Sequence, residues 1–253
     1  MPETDHDAVL GIIAQKASAP LELPAGQTAL IVVDLQRAFV QPEGRFPKLM
    51  SMLAPGAIAQ YRERIAREVV PNAARLIEEF RAAGLPIAFT GAGTRTGDGS
   101  DLAGWLRGFD EVSRQIVGAP VWPAVDEPDW AVDAAVADRE GEIVVAKTTA
   151  DPFISTDLGD QLRGKRVTTV VVCGLTTDVC VAATARGAAD RDFQTIVAED
   201  ACATLSDQLH RASLDIIGLA FGRVAKSSEI VSGLRRHELA NDRARRVERT
   251  TAD

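Results

Sequence analysis

The 253-residue sequence predicts a three-layer α/β/α domain built on a doubly wound, mostly parallel sheet of about six strands. Short β-branched apolar runs alternate with segments of helical periodicity, the pattern of consecutive βαβ units. One run, residues 167–173, is apolar without alternation, as a strand buried on both faces must be. It stops at Gly174, and Thr176, Thr177 and Asp178, all side chains that cap helices, then introduce the small helix-compatible residues 179–189.

Residues 1–27 precede the first predicted strand. A short helix fits 7–17, and Pro20, Pro24 and Gly26 then break the pattern, leaving an N-terminal arm available to a partner subunit. The main domain is read as 28–233, opening with a strand at 29–34, ALIVVD, and a loop containing Pro42, Gly44 and Pro47. Helical patterns follow over 57–70 and from Pro71, which suits the first turn of a helix, to Gly84. A second strand at 87–90 leads into GAGTRTGDGSD, whose bare G-x-G lacks the third glycine and immediate helix of a dinucleotide fingerprint. Residues 102–130 show no long periodic segment and carry Trp105, Trp122 and Trp130, which either cover core or form a substrate-facing loop. A short helix at 130–137, a third strand at 142–147, EIVVAK, and a helix at 157–163 stopped by Gly164 come next. The central strand and a helix at 178–190 are followed by a fifth strand at 194–198, an amphipathic helix at 207–221 and a short sixth strand at 222–226. The tail, 234–253, is rich in arginine and poor in apolar residues, and reads as a solvated helix or frayed end.

Composition narrows the function. At 46% hydrophobic and 25% charged the chain is an ordinary globular one, and a net charge of −8 argues against a nucleic-acid partner, which would need a basic face. No run approaches the roughly 20 apolar residues of a membrane span. The acidic start, MPETDHDAVL, lacks the basic region of a secretory signal, and three cysteines, Cys173, Cys180 and Cys202, without metal-ligand spacing fit a reducing cytoplasm.

Right-handed crossovers bring the carboxyl ends of all parallel strands to one edge, the edge where open α/β sheets bind ligands. Asp34 and Lys147 each end a strand, and Cys180 lies in the first turn of the helix after the central one. A thiol there faces the positive end of the helix dipole, so a lowered pKa is expected. Each residue taken alone also has an ordinary role: a small buried hydrophobe, a strand-end surface charge, a loop-capping aspartate.

Taken together, the motif G-L-T-T-D-V-C-V-x-x-T-A at 174–185 resembles the nucleophile motif of the isochorismatase-like cysteine hydrolases, which cleave carbon–nitrogen bonds in small amides and ureido compounds. D-L-Q-R-A-F at 34–39 is similar to that family's D-x-Q-x-x-F, and Lys147 fills its lysine slot, so the resemblance extends over about 28–230. It implies a triad of Cys180 as nucleophile, Asp34 as proton shuttle and Lys147 as electrostatic support. It also implies a cis peptide at Leu175–Thr176 and an oxyanion held by the amides of Thr176 and Cys180. Gln36, Phe39 and Phe153 are the implied pocket walls, with Arg95 either meeting a substrate carboxylate or simply solvated. The histidines His6, His210 and His237 do not follow the strand ends as the metal ligands of related nicotinamidases do, so no metal or other cofactor is expected. The motif pair TTDVCV and EDACAT is most similar to the branch of biuret, ureidoacrylate and carbamoylsarcosine hydrolases, whereas the helix at 57–70 is extra to the family pattern. A small amide or ureide substrate and a homo-oligomer, dimer or tetramer, are the expected partners. A vinyl ether hydrolase, a non-catalytic binding member and a thiol redox protein are the alternatives; for the last there is no C-x-x-C pair.

Overall fold

The structure, a computed structural model, describes residues 3–236. Six strands, β1 (Thr28–Val33), β2 (Ile87–Ala92), β3 (Ile143–Lys147), β4 (Thr169–Leu175), β5 (Gln194–Ala203) and β6 (Arg223–Ala225), form one sheet in the order β3-β2-β1-β4-β5-β6. Every neighbouring pair is parallel. β1, β2 and β4 are buried along their whole length, as their unbroken apolar runs require when helices cover both faces, while the edge strand β3 alternates. The chain winds from β1 outward to β3, returns to place β4 against the other side of β1, and winds outward again to β6. β1 and β4 therefore flank the point where strand order reverses, at which doubly wound sheets open a crevice beyond their carboxyl ends.

The helices are α1 (Glu3–Ser18), α2 (Arg37–Val40), α3 (Arg45–Leu53), α4 (Pro55–Arg64), α5 (Val70–Ala82), α6 (Gly104–Val117), α7 (Pro152–Ser155), α8 (Leu158–Gly164), α9 (Ala182–Ala189), α10 (Asp207–Ile216) and α11 (227–236). Several differ from the sequence expectation for identifiable reasons. Residues 45–53 are helical although read as loop, because Pro47 sits in the first turn of α3, where its missing N–H costs nothing. The helices expected at 57–70 and after Pro71 are one rod. Pro71 cannot donate to the carbonyl four residues back, and the wider π-helical turn Ile65–Val69 carries the chain past it from α4 into α5. The supposedly aperiodic 102–130 contains α6, and the expected helix at 130–137 is two single 3₁₀ turns, Pro128–Trp130 and Ala134–Val136. The arm does not reach away from the domain: Lys16 Nζ donates to the Leu219 carbonyl at 3.1 Å, holding α1 against the π-helical turn Ile217–Phe221 that follows α10. α11 crosses the 233/234 boundary, with Ile230, Val231 and Leu234 buried, while the rest of the expected tail lies outside the described residues.

Two glycine features position the site. Gly91 and Gly93 accommodate the Trp130 indole, which a Cβ at either would approach to 2.7 Å, so the G-x-G is a packing feature and not a phosphate cradle. Gly174 has φ +119°, and a Cβ there would lie 2.0 Å from the carbonyl oxygen of Val33 on the adjoining strand. Gly174→Ala should therefore push β4 from β1 between Asp34 and the nucleophile turn. The expected result is a loss of at least about 2 kcal/mol in denaturant unfolding together with most of the activity. Wild-type values for both would show that the close approach is dispensable.

Candidate active site

Asp34 follows β1 with φ +51°, a left-handed conformation that aspartate tolerates better than most residues. Its backbone N–H donates to the Thr90 carbonyl at 3.0 Å, and the Thr90 hydroxyl donates to Oδ1 at 2.8 Å. Lys147 ends β3, two strands from β1, a separation of about 10 Å at the usual strand spacing. Its extended side chain crosses that gap, and Nζ reaches Asp34 Oδ2 at 2.8 Å, Cys180 Sγ at 3.2 Å and the Thr149 carbonyl at 3.2 Å. The three residues over a hundred positions apart at their extremes thus meet at the switch point. They are sealed there: Lys147 is 1% exposed, Asp34 3% and Cys180 6%.

Burial and charge set the protonation states. Burial alone would lower the Lys147 ammonium, but the charge of Asp34 and the neighbouring sulfur outweigh it and hold Lys147 above its ordinary value. For Cys180 burial dominates in the opposite sense. The thiol is pushed up to about 12, the pull of Lys147 being offset by the repulsion of Asp34. This corrects the expectation of a lowered pKa: the ammonium is already matched by a carboxylate, and the resting site holds a neutral thiol beside an ion pair. The turn carrying Cys180, Thr177–Val181, is π-helical, and no side-chain cap hydrogen bond forms at Thr176. The Leu175–Thr176 peptide preceding it is cis. Thr177 Oγ1 lies 2.8 Å from His210 Nδ1, and His210 Nε2 lies 2.8 Å from an Arg64 guanidinium nitrogen. Arginine can only donate, so Nε2 accepts and Nδ1–H is given to Thr177. Burial, then the Arg64 charge, lowers His210 to about 4. This neutral imidazole ties α4 and α10 to the nucleophile turn. Among the described residues no group of three or more His, Cys, Asp and Glu side chains could hold a metal ion, and no helix is long and apolar enough to cross a membrane.

A cavity of about 210 Å³ opens beside Asp34 and Cys180, below the roughly 300 Å³ at which drug-sized pockets begin. Phe39 of α2, Phe46 of α3, Trp105 and Phe109 of α6 and Trp122 form its walls, and Leu175, Thr176, Asp178, Val179, Thr204 and Leu205 complete the lining. Trp122 is fixed between these rings: its indole N–H donates to the Leu106 carbonyl at 2.9 Å, and its backbone N–H donates to the buried Asp110 carboxylate at 3.1 Å. Of the three expected wall residues, Phe39 lines the cavity and Gln36 and Phe153 do not, and Arg95 also lies outside it. Gln36 is fully buried, bracing β2 by accepting from the Ala92 N–H at 2.8 Å and donating to the Trp130 carbonyl at 2.8 Å. Phe153 stacks on Phe193, ring centroids 6.1 Å apart, with Arg191 over its ring. Arg95 has 51% of its side chain in solvent and pairs with Asp101 at 3.5 Å. The sequence reading missed Phe46, Phe109 and Asp178. The spacing Trp105, Phe109, Val112, Ile116 is that of a helix face and could have revealed α6 with its two wall residues.

Residues 28–229 match the model of the isochorismatase domain family. The chain is 34% identical over 216 residues to the uncharacterized isochorismatase family protein YecD of Escherichia coli O157:H7, covering 85% of this chain and 100% of that one. It is 29% identical to the ureidoacrylate amidohydrolase RutB of Methylobacterium radiotolerans, covering 88% and 86%. A solved cysteine hydrolase from Pseudomonas syringae pv. phaseolicola superposes with a TM-score of 0.71 at 27% identity, covering 87% and 99%.

Proposed function

This chain belongs to the isochorismatase family of hydrolases, and from that membership and its site geometry we propose that it is a cysteine hydrolase cleaving the carbon–nitrogen bond of a small amide or ureido compound. The observation that carries the reading is the single ammonium of Lys147 at 2.8 Å from Asp34 and 3.2 Å from the Cys180 sulfur, with Asp34 and Cys180 both lining a small cavity. An ion pair alone has no need of a thiol, and a structural thiol has no need of a buried ion pair. The likeness to a ureidoacrylate amidohydrolase supports the same bond class.

In the proposed reaction an amide carbonyl lies against Cys180. Because the thiol is held neutral, its proton passes to Asp34 as sulfur attacks the carbonyl carbon, so no free thiolate precedes the step. The N–H groups of Thr176 and Cys180 receive the developing oxyanion. Asp34 returns the proton to the nitrogen as the C–N bond breaks, ammonia or an amine departs, and a thioester, or a thiocarbamate from a ureide, remains. Water then gives a proton to Asp34 while attacking that carbon. The C–S bond breaks, the proton returns to sulfur, and the acid is released. Lys147 stays charged throughout and pairs again with the Asp34 carboxylate each time its proton has been passed on.

Ammonia release from a panel of aliphatic and aromatic primary amides, biuret, ureido acids and carbamoyl amino acids tests the reading. At least one member should be turned over at a rate unchanged after dialysis against a strong chelator, while peptides stay inert. An inert panel, or activity restored only by added metal, would overturn it.

A further inference from the structure

The chemistry of the cavity walls restricts what the amide can carry, and this inference rests on the amide-hydrolase reading above. Five aromatic side chains, Phe39, Phe46, Trp105, Phe109 and Trp122, surround the space next to Cys180. They form a connected cluster, with Phe39 5.6 Å, Phe109 6.2 Å and Trp105 6.4 Å from Trp122 between ring centroids. Among the described residues lining the cavity there is no lysine, arginine or histidine, and two are carboxylates, Asp34 and Asp178. Lys147 does not compensate, since its charge is already matched by Asp34 at 2.8 Å. Arg95, the cation that could have met an anionic substrate, sits outside against Asp101. Asp178 belongs to the cavity lining, and its Oδ1 is buried with no hydrogen-bond partner.

A substrate carboxylate entering this space would lose its water, meet no unpaired cation and face the Asp178 carboxylate, Asp34 being matched by Lys147, whereas a flat apolar group would fill an aromatic enclosure. We propose that this site is selective for carboxylate-free amides with an aromatic or bulky apolar acyl group, and that the Asp178 carboxylate contributes to this selectivity by repelling anions. The inferred substrate therefore differs in charge from the ureidoacrylate of the Methylobacterium relative's name, which is an acid.

The test compares para-toluamide with the isosteric amide bearing a para-carboxylate in place of the methyl group. Binding is measured calorimetrically on Cys180→Ala, with Cys180→Ser as a second background should the first not fold. Para-toluamide should bind at least about tenfold more tightly, and Asp178→Asn in the same background should narrow that ratio at least about threefold. Equal or reversed affinities, or no binding of para-toluamide at millimolar concentration, would overturn the proposal, and an unchanged ratio in Asp178→Asn would remove Asp178 from it. Because binding is read without turnover, the outcome is separate from ammonia release by the intact enzyme, on which the amide-hydrolase reading stands or falls.

Discussion

Cys180→Ala should abolish ammonia release, lowering turnover by at least roughly 10,000-fold, while the protein stays folded. The size follows from the mechanism: with no nucleophile, neither covalent half-reaction exists, and water cannot occupy the place of a sulfur fixed 3.2 Å from Lys147 Nζ. Stability should change by only about 1 kcal/mol, since alanine keeps the turn and removes one buried atom from a side chain that already borders a cavity. Retention of more than a few per cent of wild-type turnover would rule out attack by this thiol.

The second large effect is expected from Asp34→Asn, which should fail in two separable ways. An amide cannot take the thiol proton or return it to the leaving nitrogen, so turnover should drop about 1,000-fold. The same change leaves the Lys147 ammonium buried with no counter-charge. Breaking such a pair costs on the order of 3 kcal/mol, visible as a lower denaturant midpoint. Lys147→Met combined with Asp34→Asn should recover much of that stability and none of the activity. Loss of activity without loss of stability would mean that Lys147 is held by something other than Asp34, and near-normal turnover would require a different base.

Much of this arrangement is legible in the residues themselves. Continuous β-branched runs specify buried parallel strands, and parallel strands with right-handed crossovers place Asp34, Lys147 and Cys180 on one edge before any coordinates are known. The sequence is a poor guide where two influences compete at one residue. Pro47 reads as loop and Pro71 as the start of a separate helix, yet the first occupies a helical first turn and the second follows a widened turn that joins α4 to α5. The thiol's position at a helix start suggests a low pKa, but burial and the adjacent carboxylate act the other way, and neither is a property of local sequence. The cavity walls were the least legible part. Phe39, Phe46, Phe109 and Trp122 come from four separate segments, and which aromatics converge is decided by how α3 and α6 pack, a tertiary outcome that periodicity does not specify. Phe153 and Arg95 illustrate the converse: each has the right chemistry for a pocket and is held elsewhere, one by Phe193 and Arg191, the other by Asp101.

Rapid-quench mass spectrometry of the wild-type enzyme during turnover of its best amide tests covalent chemistry at Cys180 most directly. The intact mass should rise by the mass of the substrate less that of the departing ammonia or amine, the peptide containing Cys180 should carry the whole increase, and the adduct should disappear once substrate is exhausted. Steady ammonia release with no acylated species, or an acyl group on any other residue, would contradict the proposed mechanism.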